Sequence, residues 1–110
     1  GNATGWTATD WMEDLMLRTA SPEKYDMWVS NELPFNSPEV LNAMEVYGQF
    51  SRNDDYVAGG ASSVATTFFG DAPKGLFSSP ASCLMHRQAS FIPAFFPNWW
   101  CLFYRPAVYQ

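Results

Sequence analysis

Apolar positions fall into helical rhythm over the first half of the chain and lose it afterwards. Trp11, Met12, Leu15 and Met16 recur at helical spacing, and Asp10 with Glu13 three residues on has the spacing of a capping box. The pattern predicts a first helix over residues 10–20. Ser21-Pro22-Glu23 then gives a start signal: a serine cap, proline at the first helical position and an acid in the first turn. Tyr25, Trp28 and Val29 make the apolar face of this second helix, which should end before Leu33-Pro34 because the residue before a proline is pushed from helical angles. Ser37-Pro38-Glu39 repeats the signal, and Val40, Leu41, Met44, Tyr47 and Phe50 follow as the clearest amphipathic stripe in the chain. This third helix is expected to run to Arg52, with Val40, Leu41, Met44 and Tyr47 facing the core and Asn53-Asp54-Asp55 closing it.

Beyond Gly59-Gly60 the reading changes. Residues 61–69 fit a short helix that β-branched Val64, Thr66 and Thr67 weaken. A turn-rich segment leads into residues 82–88, a short apolar run that reads as a strand entering a core. His86, Arg87 and Gln88 stand at its end, either as a polar exit from a buried strand or as groups presented to a ligand. A second apolar run, residues 91–96, is broken by Pro93. The expected class is mainly α with a few short β-strands.

Composition narrows the function. The chain has 110 residues, 47% of them hydrophobic and 17% aromatic, enough to collapse around a core as a single domain or part of one. Six basic against eleven acidic residues give a net charge of −5, which disfavours nucleic acid, whose phosphates need clustered Lys and Arg. There is no apolar run long enough to span a bilayer. Gly1-Asn2-Ala3-Thr4-Gly5 lacks the basic start and apolar centre of a signal peptide, though Asn2-Ala3-Thr4 fits a glycosylation triplet. Cys83 and Cys101 form no Cys-x-x-Cys pair, and one histidine cannot complete a zinc site with them; buried free thiols or a disulfide both fit. No cofactor or metal is expected.

Enzyme motifs are sought without success. There is no nucleophile elbow, and Gly70-Asp71-Ala72-Pro73-Lys74-Gly75 has the glycine spacing of a phosphate loop but is followed by Leu76 and Phe77 instead of Lys and Ser or Thr. Asn53-Asp54-Asp55 lacks the alternating ligands of a calcium loop. The adjacent acids Glu13 and Asp14 diverge on a helix and read as solvated surface. What remains is a set of flat aromatics and hydrogen-bonding groups, Trp6, Trp11, His86, Arg87 and Gln88, chemistry suited to a carbohydrate as well as to an ordinary core.

Several stretches together carry a resemblance. Gly5-Trp-Thr-Ala-Thr-Asp-Trp-Met-Glu-Asp-Leu-Met, Tyr25-Asp-Met-Trp-Val, Pro34-Phe-Asn-Ser-Pro-Glu-Val, Thr67-Phe-Phe-Gly-Asp-Ala-Pro and His86-Arg-Gln-Ala-Ser-Phe-Ile occur in order. They resemble the extracellular solute-binding proteins, family 1, of ABC sugar importers, in the α-glucoside-binding branch. The resemblance implies a fragment, residues 1–97, of the second lobe of a two-lobed α/β protein that holds sugar in its cleft and docks on a membrane permease. It implies Trp6, Arg87, Gln88 and, less directly, His86 as sugar contacts. Residues 98–110, an aromatic tail with no acidic group, depart from the family pattern. Without the rest of the lobe the fragment is expected to bind sugar weakly or not at all, and to be a homo-oligomer that covers its apolar surface by pairing two tails across a two-fold axis; the competing expectation is a tail folded back over its own core.

Overall fold

The computed structural model describes residues 5–100. It divides into two compact units, the first ending at Thr67 and the second beginning at Phe68.

The first unit is built on α1 (Trp6–Thr19), α2 (Pro22–Val29) and α3 (Pro38–Ser51), with one further turn of helix, α4 (Ser63–Thr66). α1 begins four residues earlier than its sequence pattern suggests. Gly5 caps it with a left-handed backbone, φ 73°, so Asp10 and Glu13 lie inside the helix and form no capping box. The α2 start is as expected: Pro22 is the first helical residue, and the Ser21 hydroxyl accepts from the Lys24 N–H at 3.4 Å. Its end comes at Val29, well before Pro34. Asn31, φ 63°, takes the left-handed turn that closes helices, and the N–H groups of Glu32 and Leu33 both donate to the Met27 carbonyl at 2.8 Å.

α1 lies against α3, and their contact makes the core. Leu15, Met16, Leu33, Val40 and Ala43 are buried, with Met12, Tyr25, Trp28, Val46 and Tyr47 packed around them. Lys24 on α2 reaches Glu39 on α3 at 3.2 Å. The apolar face of α3 is the one the spacing suggests only in part: Val40 and Tyr47 face the core, and Leu41 and Met44 do not. Val40 and Ala43 are fully buried, whereas Leu41 is 53% and Met44 38% exposed. Val29 is exposed as well. A helical stripe fixes which residues are neighbours along the surface, not which neighbours meet α1.

α3 closes into the turn expected at residues 53–55. The Asn53 side chain accepts from the Asp55 N–H at 3.0 Å, and Asp54 Oδ1 from the Ala61 N–H at 2.7 Å. Gly59 and Gly60 both sit at positive φ, 85° and 79°, where a side chain would strain the backbone.

The second unit has no strand among its described residues. Two 3₁₀ helices, Ala72–Leu76 and Ile92–Phe95, bracket a segment of irregular backbone. Residues 82–88, expected as a strand, form none: the chain bends at Ser82 and Leu84 and continues without regular structure. The mainly α class therefore stands and its strand component does not. Within the run 91–96, Ile92–Phe95 form the second 3₁₀ helix because Pro93 occupies its start and removes a donor that a ladder would need. Phe68, Phe69, Phe91 and Phe95 pack ring to ring, with the Phe69 and Phe95 centroids 5.2 Å apart. The tail expected at residues 98–110 is described only to Trp100. There Phe77 meets Phe96 at 4.8 Å and Trp100 at 5.2 Å between centroids, so the described start of the tail lies on its own unit. Cys101 and the strand-like alternation after it lie outside the described residues. Cys83 is a half-buried free thiol.

Candidate functional site

The segment that carries His86, Arg87 and Gln88 is tied down at both ends. At its base the Gly75 carbonyl accepts from the N–H groups of Ser82 (3.0 Å) and Cys83 (3.2 Å). The Ser78 hydroxyl donates to the Gly75 carbonyl at 3.0 Å and accepts from the Ser82 N–H at 3.1 Å. Gly75 permits this approach: a Cβ there would lie 2.9 Å from the Cβ of Cys83. At the far end the Ile92 N–H donates to the Ala89 carbonyl, and Ile92 is buried. Between these anchors the backbone is irregular, with bends at Ser82 and Leu84.

Burial sorts the candidates. His86 and Gln88 are half-buried, and Arg87 between them is exposed. The Gln88 carbonyl oxygen accepts from the Ala89 N–H at 2.9 Å, which fixes the amide and leaves its NH₂ to donate elsewhere. His86 Nε2 is buried with no hydrogen-bond partner among the described residues. Burial also holds the imidazole below its usual pKa, favouring the neutral ring. A neutral imidazole, a guanidinium and an amide in consecutive positions offer both donors and an acceptor to a polyhydroxylated ligand.

Trp6 belongs to the other unit. It is the first residue of α1 and is half-buried. Trp11, grouped with it on chemistry alone, is a packing residue: its ring lies 4.7 Å from Phe50 and 6.2 Å from Tyr47, centroid to centroid. His86, Arg87 and Gln88 are thus neighbours in one irregular segment, while half-buried Trp11 packs against the aromatics of α3.

Other chemistry finds no support among the described residues. There is no group of three His, Cys, Asp or Glu side chains placed to hold a metal. No helix is long and apolar enough to cross a membrane. An open polar concavity at the end of α3, lined by residues such as Glu45, Gln49, Arg52 and Asp55, contains none of the candidate residues. Asp14 pairs with Arg18 on the surface of α1 at 3.1 Å, as its solvated reading requires.

The chain has close relatives among known proteins. It is 63% identical over 98 residues to the alpha-glucosides-binding periplasmic protein AglE of Rhizobium meliloti (strain 1021), covering 89% of this chain and 21% of that protein. It is 50% identical over 97 residues to the osmoprotective compounds-binding protein GgtB of Synechocystis sp. (strain ATCC 27184 / PCC 6803 / Kazusa), covering 88% of this chain and 23% of the other. No family model matches the chain. No solved structure matches it. The chain spans about a fifth of the length of the relatives it matches. The resemblance to α-glucoside-binding solute-binding proteins is borne out in this form: the chain is homologous to one segment of them.

Proposed function

We propose that this chain is the equivalent of one ligand-contacting segment of a carbohydrate-binding component of an ABC importer, with weak or no sugar binding of its own. The observation that carries the reading is the 63% identity to an alpha-glucosides-binding protein over nearly the whole chain. In this reading residues 1–97 correspond to part of the second lobe. Exposed Arg87 and half-buried Gln88 donate to sugar hydroxyls, His86 supports them as a neutral ring, and Trp6 offers an aromatic face to apolar sugar C–H surface. The complete protein, which works outside the inner membrane, delivers its sugar to a membrane permease. The role is binding, without catalysis or cofactor.

Weak affinity follows from the same reading. A site that closes around a ligand buries most of its surface, and a segment of about a fifth of the protein supplies one wall. A thermal-shift panel of α-glucosides on this chain and on the Rhizobium relative tests it. Stabilisation grows as RT ln(1 + [L]/Kd), so a shift in the relative with little or none here supports the reading. A relative indifferent to every α-glucoside removes it.

A second reading makes the chain an interaction module that self-associates through its aromatic tail. Trp99, 49% exposed beside Phe77, favours it. Light scattering across a dilution series decides: a constant mass near 12.4 kDa excludes the module.

A further inference from the structure

Gly48 stands inside α3, with helical residues on both sides, where glycine is less favourable than alanine. Its φ is not positive, so no left-handed turn requires it. What it permits is the placement of Arg52. A Cβ at Gly48 would lie 2.8 Å from Nη2 and 3.1 Å from Nε of that arginine, so the guanidinium rests on the helix where a side chain would otherwise be. Arg52 is also the residue that ends α3, its N–H donating to the Gly48 carbonyl at 3.2 Å. A cation at this end suits the helix dipole in any rotamer. Lying over a glycine is a further restriction, and it decides where the guanidinium points.

It points into the polar concavity at the end of α3, a space of about 700 Å³ and so within the usual range of about 300–1,000 Å³ for small-molecule sites. Glu45 and Gln49 line it from the same face of the helix, and Asp54 and Asp55 from the turn that follows. Among the described residues the guanidinium forms no ion pair with these carboxylates. The turn is held in place, with Asp54 Oδ1 accepting from the Ala61 N–H and the Asn53 side chain from the Asp55 N–H.

The charges select the ligand. Carboxylates and the negative end of a helix repel an anion. No three acidic groups among the described residues are placed to hold a metal. A neutral polyhydroxylated compound is opposed by neither sign: its hydroxyls accept from guanidinium and amide N–H groups and donate to carboxylates. We propose that this concavity is a second binding site, for a neutral polyol or saccharide, with Arg52 and Gln49 as donors and Glu45 and Asp55 as acceptors. Among the described residues that line it are none of Trp6, His86, Arg87 and Gln88, so the site stands apart from the sugar reading above. They include no aromatic ring either, and affinity without that flat apolar face is millimolar.

Amide NMR of the isotope-labelled 110-residue chain, titrated with maltose, tests it. The amides of residues 45–55 should shift and saturate with a millimolar Kd. Arg52→Ala should weaken binding about tenfold, the scale of a lost charge-assisted hydrogen bond. Gly48→Ala separates the placement of the guanidinium from the fold. Its Cβ pushes the guanidinium aside while favouring the helix, so binding should fall about threefold or more with the melting temperature equal or raised. Amides 45–55 that do not shift, or a Kd unchanged by either substitution, overturn the proposal. An equal response to glycine, putrescine or inorganic phosphate also overturns it, because the site would then be one for a charged ligand. Shifts confined to residues 86–88 overturn it too and leave the sugar reading standing.

Discussion

Trp11 on α1 and Phe50 on α3 pack with ring centroids 4.7 Å apart and planes tilted by 49°. Phe50 also meets Tyr47 edge to face at 5.4 Å, so three aromatics from two helices lock the far end of the α1–α3 contact. Tilted and edge-to-face pairs of this kind add about 0.5–1.5 kcal/mol beyond their buried area. Below them Met16, Val40 and Ala43 fill the contact with no exposed surface. The helical unit is therefore organised around one seam.

Two methionines test where that seam runs. Met16→Ala, at a fully buried site, should cost about 2–5 kcal/mol in urea unfolding, because it removes buried methylenes and leaves a cavity. Met44→Ala, on the exposed face of α3, should stay within about 0.5 kcal/mol of the parent. The opposite ranking would mean that Met44, and not Met16, sits in the α1–α3 contact.

The Ser21 cap makes a second prediction. Its hydroxyl accepts from Lys24 N–H, and Ser21→Ala should destabilise at the weak end of the usual range of about 0.5–2 kcal/mol, since the bond is 3.4 Å long. No measurable change in unfolding midpoint would show that the cap is idle.

Acid should weaken the helical unit through two carboxylates. The Ser21 hydroxyl, with the Glu23 N–H, holds Glu23 below the ordinary carboxylate range; the Glu39 N–H and the Lys24 ammonium do the same for Glu39. A depressed carboxyl pKa contributes stability above the unfolded value of about 4.3 and loses it as pH falls through the folded value. Both groups are at the surface, so the effect is small. The loss of stability below about pH 4 should be shallower in Glu39→Gln than in the parent; parallel curves would remove Glu39 from the account.

His86 should titrate below its ordinary value of about 6.5, since burial disfavours the imidazolium. Its depressed pKa leaves stability constant above that value and reduces it as pH falls through the folded pKa. Imidazole proton shifts followed by NMR from pH 8 downward give the midpoint directly. A midpoint at or above the ordinary value would mean that the ring is solvated or paired with an acid.

Much of this fold is legible from local signals, and its failures share a cause. Ser37-Pro38-Glu39 sets the start of α3 through the fixed φ of Pro38 and an acid at the dipole within one turn, although the Ser37 hydroxyl forms no cap hydrogen bond. The α1 start is misread because Asp10 and Glu13 imitate a capping box, while the residue that opens the helix, Gly5, signals only through its backbone freedom. Asn31 was a readable stop for α2, overshadowed by the proline further on. Residues 82–88 do not form the strand their apolar run suggests, because a strand needs a second strand to pair with, and that is not a property of the segment itself. That Val40 and Tyr47 meet the core while Leu41 and Met44 do not is likewise decided by what lies opposite. For the candidate site, His86, Arg87 and Gln88 were visible as a polar cluster closing an apolar run. Trp11 could not be told from Trp6 until its neighbours Tyr47 and Phe50 were in place.

The most direct test of the sugar reading is isothermal titration of an α-glucoside into the chimera that carries residues 1–97 of this chain within the Rhizobium relative. Arg87→Ala should weaken binding by at least about tenfold, because an arginine bound to a hydroxyl contributes a charge-assisted bond of about 1.5–3 kcal/mol. Trp6→Ala should weaken it as well, and both variants should melt within a few degrees of the parent chimera. Unchanged affinity in both folded variants would contradict the account.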